Sequence, residues 1–247
     1  MVRLNRDKTF MHPIIKKIRK ELKEKSDPKV REGMRRYFKE DINSHGLKAA
    51  AIKEIAAKYW NEIRSLGKKE IFDLSEDLMK SLMIEEIGIV TLWIPKLKKQ
   101  FEEKDLDLFK KWIEKYIDNW ANCDSLCNHT VGDYIMKFPH RIDEIKSWTK
   151  SKNRWMRRAA AVSLIVPARR GEFLEDVLEI ADLLLEDEDD MVQKGYGWML
   201  KEASKTHQTE VFNYVIKNKS RMPRTAFRYA IEKMDQKLKV LAMKKDN

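Results

Sequence analysis

Trp155-Met156-Arg157-Arg158-Ala159 and Met191-Val192-Gln193-Lys194-Gly195 read as two copies of one pattern, and aligning Arg158 with Lys194 sets the copies 36 residues apart. That interval is close to the roughly 40-residue period of solenoids built from stacked helix pairs. Each copy lies in a run with helical periodicity, over residues 153–165 and 189–205. If one helix of each pair lines an inner wall, Arg158, Lys194 and Trp198, one turn beyond Lys194, share that wall. The fold expected is all-α: an α-solenoid of helical repeats with a concave basic cleft.

The rest of the chain extends the same reading. Eight Gly and six Pro in 247 residues are about half the usual share of these chain breakers, which favours long helices over turns. A first helix is expected from Pro13, with Ile14, Ile15, Ile18 and Leu22 on one face, ending at Ser26-Asp27-Pro28. The next covers 28–38, and after the turn Asn43-Ser44-His45-Gly46 a third runs over 47–64. Further helices are expected over 69–82, 84–101 (bent or split at Pro95), 105–120, 125–137, 142–150, 173–185, 209–217 and 223–242, the last as one helix or two. No segment reads as a sheet. The whole of 1–247 is expected to form a single repeat domain, with 1–12 a flexible N-terminal extension.

Apolar residues make up 43% of the chain and charged ones 37%, enough to fill a core beneath a highly charged surface, which argues against disorder. No apolar stretch approaches the roughly 20 residues of a bilayer span, so no membrane segment is expected. The basic N-terminus lacks an apolar h-region, and two Cys cannot build a disulfide framework. A cytoplasmic protein is expected. The net charge of +11 is distributed in blocks: +10 over 1–70, −4 over 71–148, +7 over 149–170, −9 over 171–215 and +7 over 216–247. Alternating blocks on paired helices would direct basic helices to one surface, a stripe suited to a phosphate backbone. On charge alone, a merely solubilising surface is the other reading.

Several motifs occur in a distinctive order: Met34-Arg35-Arg36-Tyr37-Phe38-Lys39, Trp120-Ala121-Asn122-Cys123-Asp124, Asn153-Arg154-Trp155-Met156-Arg157-Arg158-Ala159-Ala160, Val192-Gln193-Lys194-Gly195-Tyr196-Gly197-Trp198-Met199-Leu200-Lys201-Glu202 and Arg228-Tyr229-Ala230-Ile231. With them the sequence resembles, over most of its length, the AlkD-like DNA alkylation repair family of HEAT-like-repeat DNA glycosylases. The resemblance implies a catalytic Asp at Asp124, two cleft tryptophans at Trp120 and Trp198, a phosphate-contacting Arg at Arg158 and a cleft Tyr at Tyr37. Arg157, Lys194 and Arg228 complete the expected DNA-binding set. The chain departs from the family after Tyr37, where Ser44-His45-Gly46 replaces a more apolar stretch.

The implied function is hydrolysis of the N-glycosidic bond of N3- or N7-alkylated purines in double-stranded DNA, by a monomer that uses no metal or organic cofactor. Such a base already carries positive charge and leaves as a neutral molecule, so the barrier lies in the charge that develops at C1′. A fixed carboxylate stabilises that charge and can orient water. Indole faces attract cations. Arginine holds phosphate by a bidentate fork without reading sequence. Taken singly, the residues read otherwise: Asp124 as a helix N-cap, Trp120 and Trp198 as core, Arg158 as a solvated charge. The rival function is a non-catalytic HEAT-like module that binds DNA or protein through the same groove. Cys123, Cys127 and His129 have a Cys-x3-Cys-x-His spacing with no fourth ligand and read as packed thiols, with no metal site. No Gly-rich phosphate loop, GxSxG or HExxH motif is present.

Overall fold

The computed structural model describes residues 11–244. The proposed extension over 1–12 lies outside them except for Met11 and His12. The described residues are helical with no strand; the one β-bridge joins Asn43 to Met83. The chain divides into two compact units, with described parts 11–93 and 94–244, where the sequence reading treats 1–247 as one domain. No helix among the described residues is long and apolar enough to cross a membrane.

In the first unit α1 (Pro13–Glu24) starts at the expected proline and buries Ile14, Ile15, Ile18 and Leu22. It packs on α3 (Ala49–Ile63) and α4 (Lys68–Met79), and both of these pack on α5 (Ile84–Trp93). Helix α5 is buried almost all round, as its apolar sequence requires. Its first turn brings Glu85 and Glu86 into the interior, and both are satisfied. Glu85 accepts hydrogen bonds from the Ser44 hydroxyl and from the backbone N–H groups of His45, Gly46 and Leu47. Glu86 pairs with Arg19 at 2.9 Å. The polar Ser44-His45-Gly46 loop is thus tied to a buried carboxylate. Gly46 has φ +87°, and a Cβ there would run into the Asp27 carbonyl. The same loop receives Ser26 and Arg31 at the His45 carbonyl, which anchors α2 (Pro28–Tyr37), a surface helix with no buried residue.

The second unit begins with a 3₁₀ segment, Ile94–Gln100, so Pro95 splits the expected long helix. Helix α6 (Asp105–Tyr116) follows, then α7 (Trp120–Leu126), a π-helical turn (Cys127–Val131) and α8 (Gly132–Lys137). This corrects two expected boundaries, because the break falls before Trp120 and not after it. The cause is Asn119, whose side chain accepts from the Asn122 N–H and restarts the helix. Beyond come α9 (Ile142–Ser147), α10 (Arg154–Val162), α11 (Ile165–Arg169), α12 (Leu174–Leu183), α13 (Asp190–Ala203), α14 (Gln208–Lys217), α15 (Arg224–Ile231) and α16 (Gln236–Met243). The expected 223–242 segment is two helices.

The repeat is visible in this unit. Helices α7, α10, α13 and α15 start at Trp120, Arg154, Asp190 and Arg224, intervals of 34, 36 and 34 residues. Each packs on the next. The first three begin behind the same device, a side-chain oxygen of Asn119, Asn153 or Asp189 that caps the first turn. The architecture is an all-α helical repeat, with the core where these helices meet.

Candidate functional site

Counted from each helix start, Asp124, Arg158, Lys194 and Arg228 all occupy the fifth position of α7, α10, α13 and α15. The row therefore reads Asp, Arg, Lys, Arg, one charge per repeat. Its first two members are joined. Arg158 donates from Nε to Asp124 Oδ1 at 2.8 Å and from Nη2 to Oδ2 at 2.7 Å, a parallel fork. Its Nη1 donates to the Met191 carbonyl at the start of α13. One guanidinium thereby links three successive repeat helices. Gly195 makes room for it, since a Cβ there would lie 3.2 Å from Arg158 Cγ.

The Asp124 side chain is 12% exposed and that of Arg158 5%. Both members of the pair are buried, the carboxylate slightly less so than the guanidinium. Burial raises the Asp124 pKa above the ordinary aspartate value, and the hydrogen bonds and charge of Arg158 oppose that rise. For Arg158, burial alone would lower the pKa, but pairing with Asp124 outweighs it and the guanidinium stays charged. Each carboxylate oxygen accepts one of the two fork bonds and retains a second lone pair.

Asp124 is not a helix N-cap. That place belongs to Asn119, and Asp124 stands in the second turn of α7, four residues after Trp120 and so on the same face. Trp120 and Trp198 are both half-buried and are not among the fully buried core side chains. The Trp198 indole N–H donates to Glu202 Oε1 at 3.3 Å. The five expected DNA-contacting residues are not placed alike. Arg158, expected to grip phosphate, is buried in its pair with Asp124. Arg157 is likewise committed: its Nε donates to Asp187 at 2.6 Å and its Nη1 to the Ser151 and Lys152 carbonyls, so it braces the α9–α10 connection. Lys194 forms only a one-turn pair with Asp190 at 3.2 Å, and Arg228 is exposed. Tyr37 ends α2 in the first unit, 69% exposed and edge-on to Phe38.

Cys123 and Cys127 are buried, and burial holds the Cys123 thiol well above its ordinary pKa, whereas His129 is exposed. Among the described residues no group of three or more His, Cys, Asp or Glu side chains is placed to hold a metal ion. Sequence reasoning missed Asn119, Asp187 and Glu202. Of these, Asn119 was signalled by its 34-residue offset from Asn153.

Residues 18–234 match the family model described as DNA alkylation repair enzyme. A solved structure described as a predicted DNA alkylation repair enzyme from Enterococcus faecalis is similar, with TM-score 0.76 and 16% identity, covering 86% of this chain and 98% of that one. The structure of smu.31 from Streptococcus mutans UA159 aligns with TM-score 0.61 and 19% identity over 90% of this chain and all of that one. An alkylpurine DNA glycosylase, AlkC of Pseudomonas fluorescens, bound to DNA containing an abasic site analogue, aligns with TM-score 0.46 and 16% identity over 79% of this chain and 66% of that one. Among curated proteins none matches the sequence significantly. The family model spans nearly the whole described chain, and the chain belongs to the DNA alkylation repair enzyme family.

Proposed function

We propose that this chain is a monofunctional DNA glycosylase that hydrolyses the N-glycosidic bond of N3- or N7-alkylated purines in duplex DNA, acting as a cytoplasmic monomer. The observation that carries the reading is Asp124: a carboxylate held in a fork by Arg158, one helical turn from the half-buried Trp120. An N-alkylated purine leaves as a neutral base, so no general acid, metal or organic cofactor is needed. Positive charge grows at C1′, and the fixed carboxylate stabilises it and orients the attacking water through its free lone pairs. Arg158 prevents the carboxylate from rotating, so little reorganisation accompanies the reaction. The indoles of Trp120 and Trp198 offer π faces to the cationic base and sugar, each contributing on the order of 0.5–2 kcal/mol. Lys194 and Arg228, in the same helical row, and Tyr37 in the first unit are proposed to contact the DNA backbone.

The test is release of free base from duplex DNA methylated at N7 of guanine and N3 of adenine. The wild type should release both, whereas Trp120→Ala and Trp198→Ala should lose excision with a much smaller fall in thermal stability than the ~3–5 kcal/mol of a truncated core tryptophan. A wild-type chain that binds such DNA and releases nothing is instead a non-catalytic binding module.

A further inference from the structure

Glu202 lies one turn beyond Trp198 on α13 and is 4% exposed. A carboxylate removed from water must be paired and hydrogen-bonded, and Glu202 is, in an unequal way. Its Oε2 accepts from Arg169 Nε and from Lys205 Nζ, each at 2.6 Å. Its Oε1 accepts from the Trp198 indole N–H. Burial alone would raise the Glu202 pKa; Lys205 and Arg169 more than reverse this and hold the group ionised. A bridge serving only to join α11 to α13 would turn both oxygens to the guanidinium as a fork. Here both cations share one oxygen and the other is left to the indole. Arg169 and Lys205 are themselves 50% and 40% exposed, so neither depends on Glu202 to escape burial.

The indole ring of a tryptophan on a helix has two broad orientations about its outer torsion. A hydrogen bond at Nε1 selects one of them. An anionic acceptor also polarises the N–H, enriching the ring face that attracts cations.

We propose that Glu202 is a positioning residue: it locks the Trp198 indole in one orientation and thereby sets the rate of excision of cationic bases. The inference rests on the glycosylase reading. Its test separates the two. In Glu202→Gln the two cations retain the amide oxygen, which leaves the NH₂ facing the indole N–H, donor against donor, so the helix bridge survives while the lock is lost. The full-length chain labelled with ¹⁵N has seven tryptophan side chains, and the Trp198 signal is the indole resonance missing from Trp198→Phe. In Glu202→Gln that resonance should move and its N–H exchange faster. On N7-methylguanine duplex, kcat should fall about tenfold with KM nearly unchanged, and Glu202→Gln should add nothing in the Trp198→Phe background. An indole resonance unmoved by Glu202→Gln, or a kcat loss that persists in the Trp198→Phe background, overturns the proposal. Absence of base release by the wild type overturns the glycosylase reading, and the indole resonance still decides whether Glu202 holds the ring.

Discussion

Replacing Asp124 with Asn would leave Arg158 a buried cation without its counter-charge, a change that costs about 3–5 kcal/mol. Asp124→Asn should therefore lose stability and lower excision by about two to three orders of magnitude, the scale of one lost transition-state contact. The double variant Asp124→Asn/Arg158→Met separates the effects: denaturant titration should show stability recovered, and the base-release assay no recovery. The pH profile offers an independent check. The ionised carboxylate is the active form and burial raises its pKa, so excision should fall on acidification at a pH above the ~3.9 of an ordinary Asp. Arg158→Met, which removes the opposing charge, should move that acid limb higher still. Arg157→Ala, by contrast, breaks a pair with Asp187 and should lower the melting temperature without altering DNA affinity.

At the scale of elements, the repeat helices meet at glycines. A Cβ on Gly197 would lie 2.8 Å from both the Ala226 carbonyl and Tyr229 Cβ, so α13 and α15 approach as closely as backbone permits. Gly197→Ala should destabilise by about 1–3 kcal/mol through overpacking, read by thermal melting. Much of this architecture was legible beforehand. The 36-residue offset of Arg158 and Lys194 reappears in the helix starts, and the apolar stripe Ile14, Ile15, Ile18, Leu22 is buried as its spacing requires. The break before Trp120 was not legible, because residues 105–120 keep a helical period across Asn119 and only its side-chain cap interrupts it. The π-helical turn that follows Leu126 was hidden for a related reason: one extra residue in a turn leaves composition unchanged. At the site, residue types pointed to Asp124 and the tryptophans. The mutual burial of Asp124 and Arg158 was not visible, since charge in a sequence does not reveal which charges face each other.

Across the molecule, the basic residues of the helical row should act through salt-dependent contacts. Lys194→Ala and Arg228→Ala are each expected to weaken binding to damaged and intact duplex alike and to reduce the salt slope by about one, measured by binding titrations at several ionic strengths. In the first unit, acid should act at Glu21. The hydrogen bond from Lys58 lowers its pKa to about 2 against the opposing effect of burial, with Lys25 and Tyr59 adding to the lowering. A lowered carboxylate pKa stabilises the fold fully above the ordinary value of 4.5 and progressively less as pH falls towards about 2. The melting-temperature gap between wild type and Glu21→Gln should therefore narrow over that interval. Helix α16 has a different consequence. Of its residues only Ala242 is buried, while Val240, Leu241 and Met243 are about half exposed, whereas seven residues of α10 are buried. An array whose members touch only their neighbours opens like a zipper from its weaker end. Amide exchange should be fastest in α16 and slow stepwise through α15 and α13 to α10. The Asp124–Arg158 clasp then sits among the last links to part, and excision should persist at temperatures where the C-terminal helix has already melted.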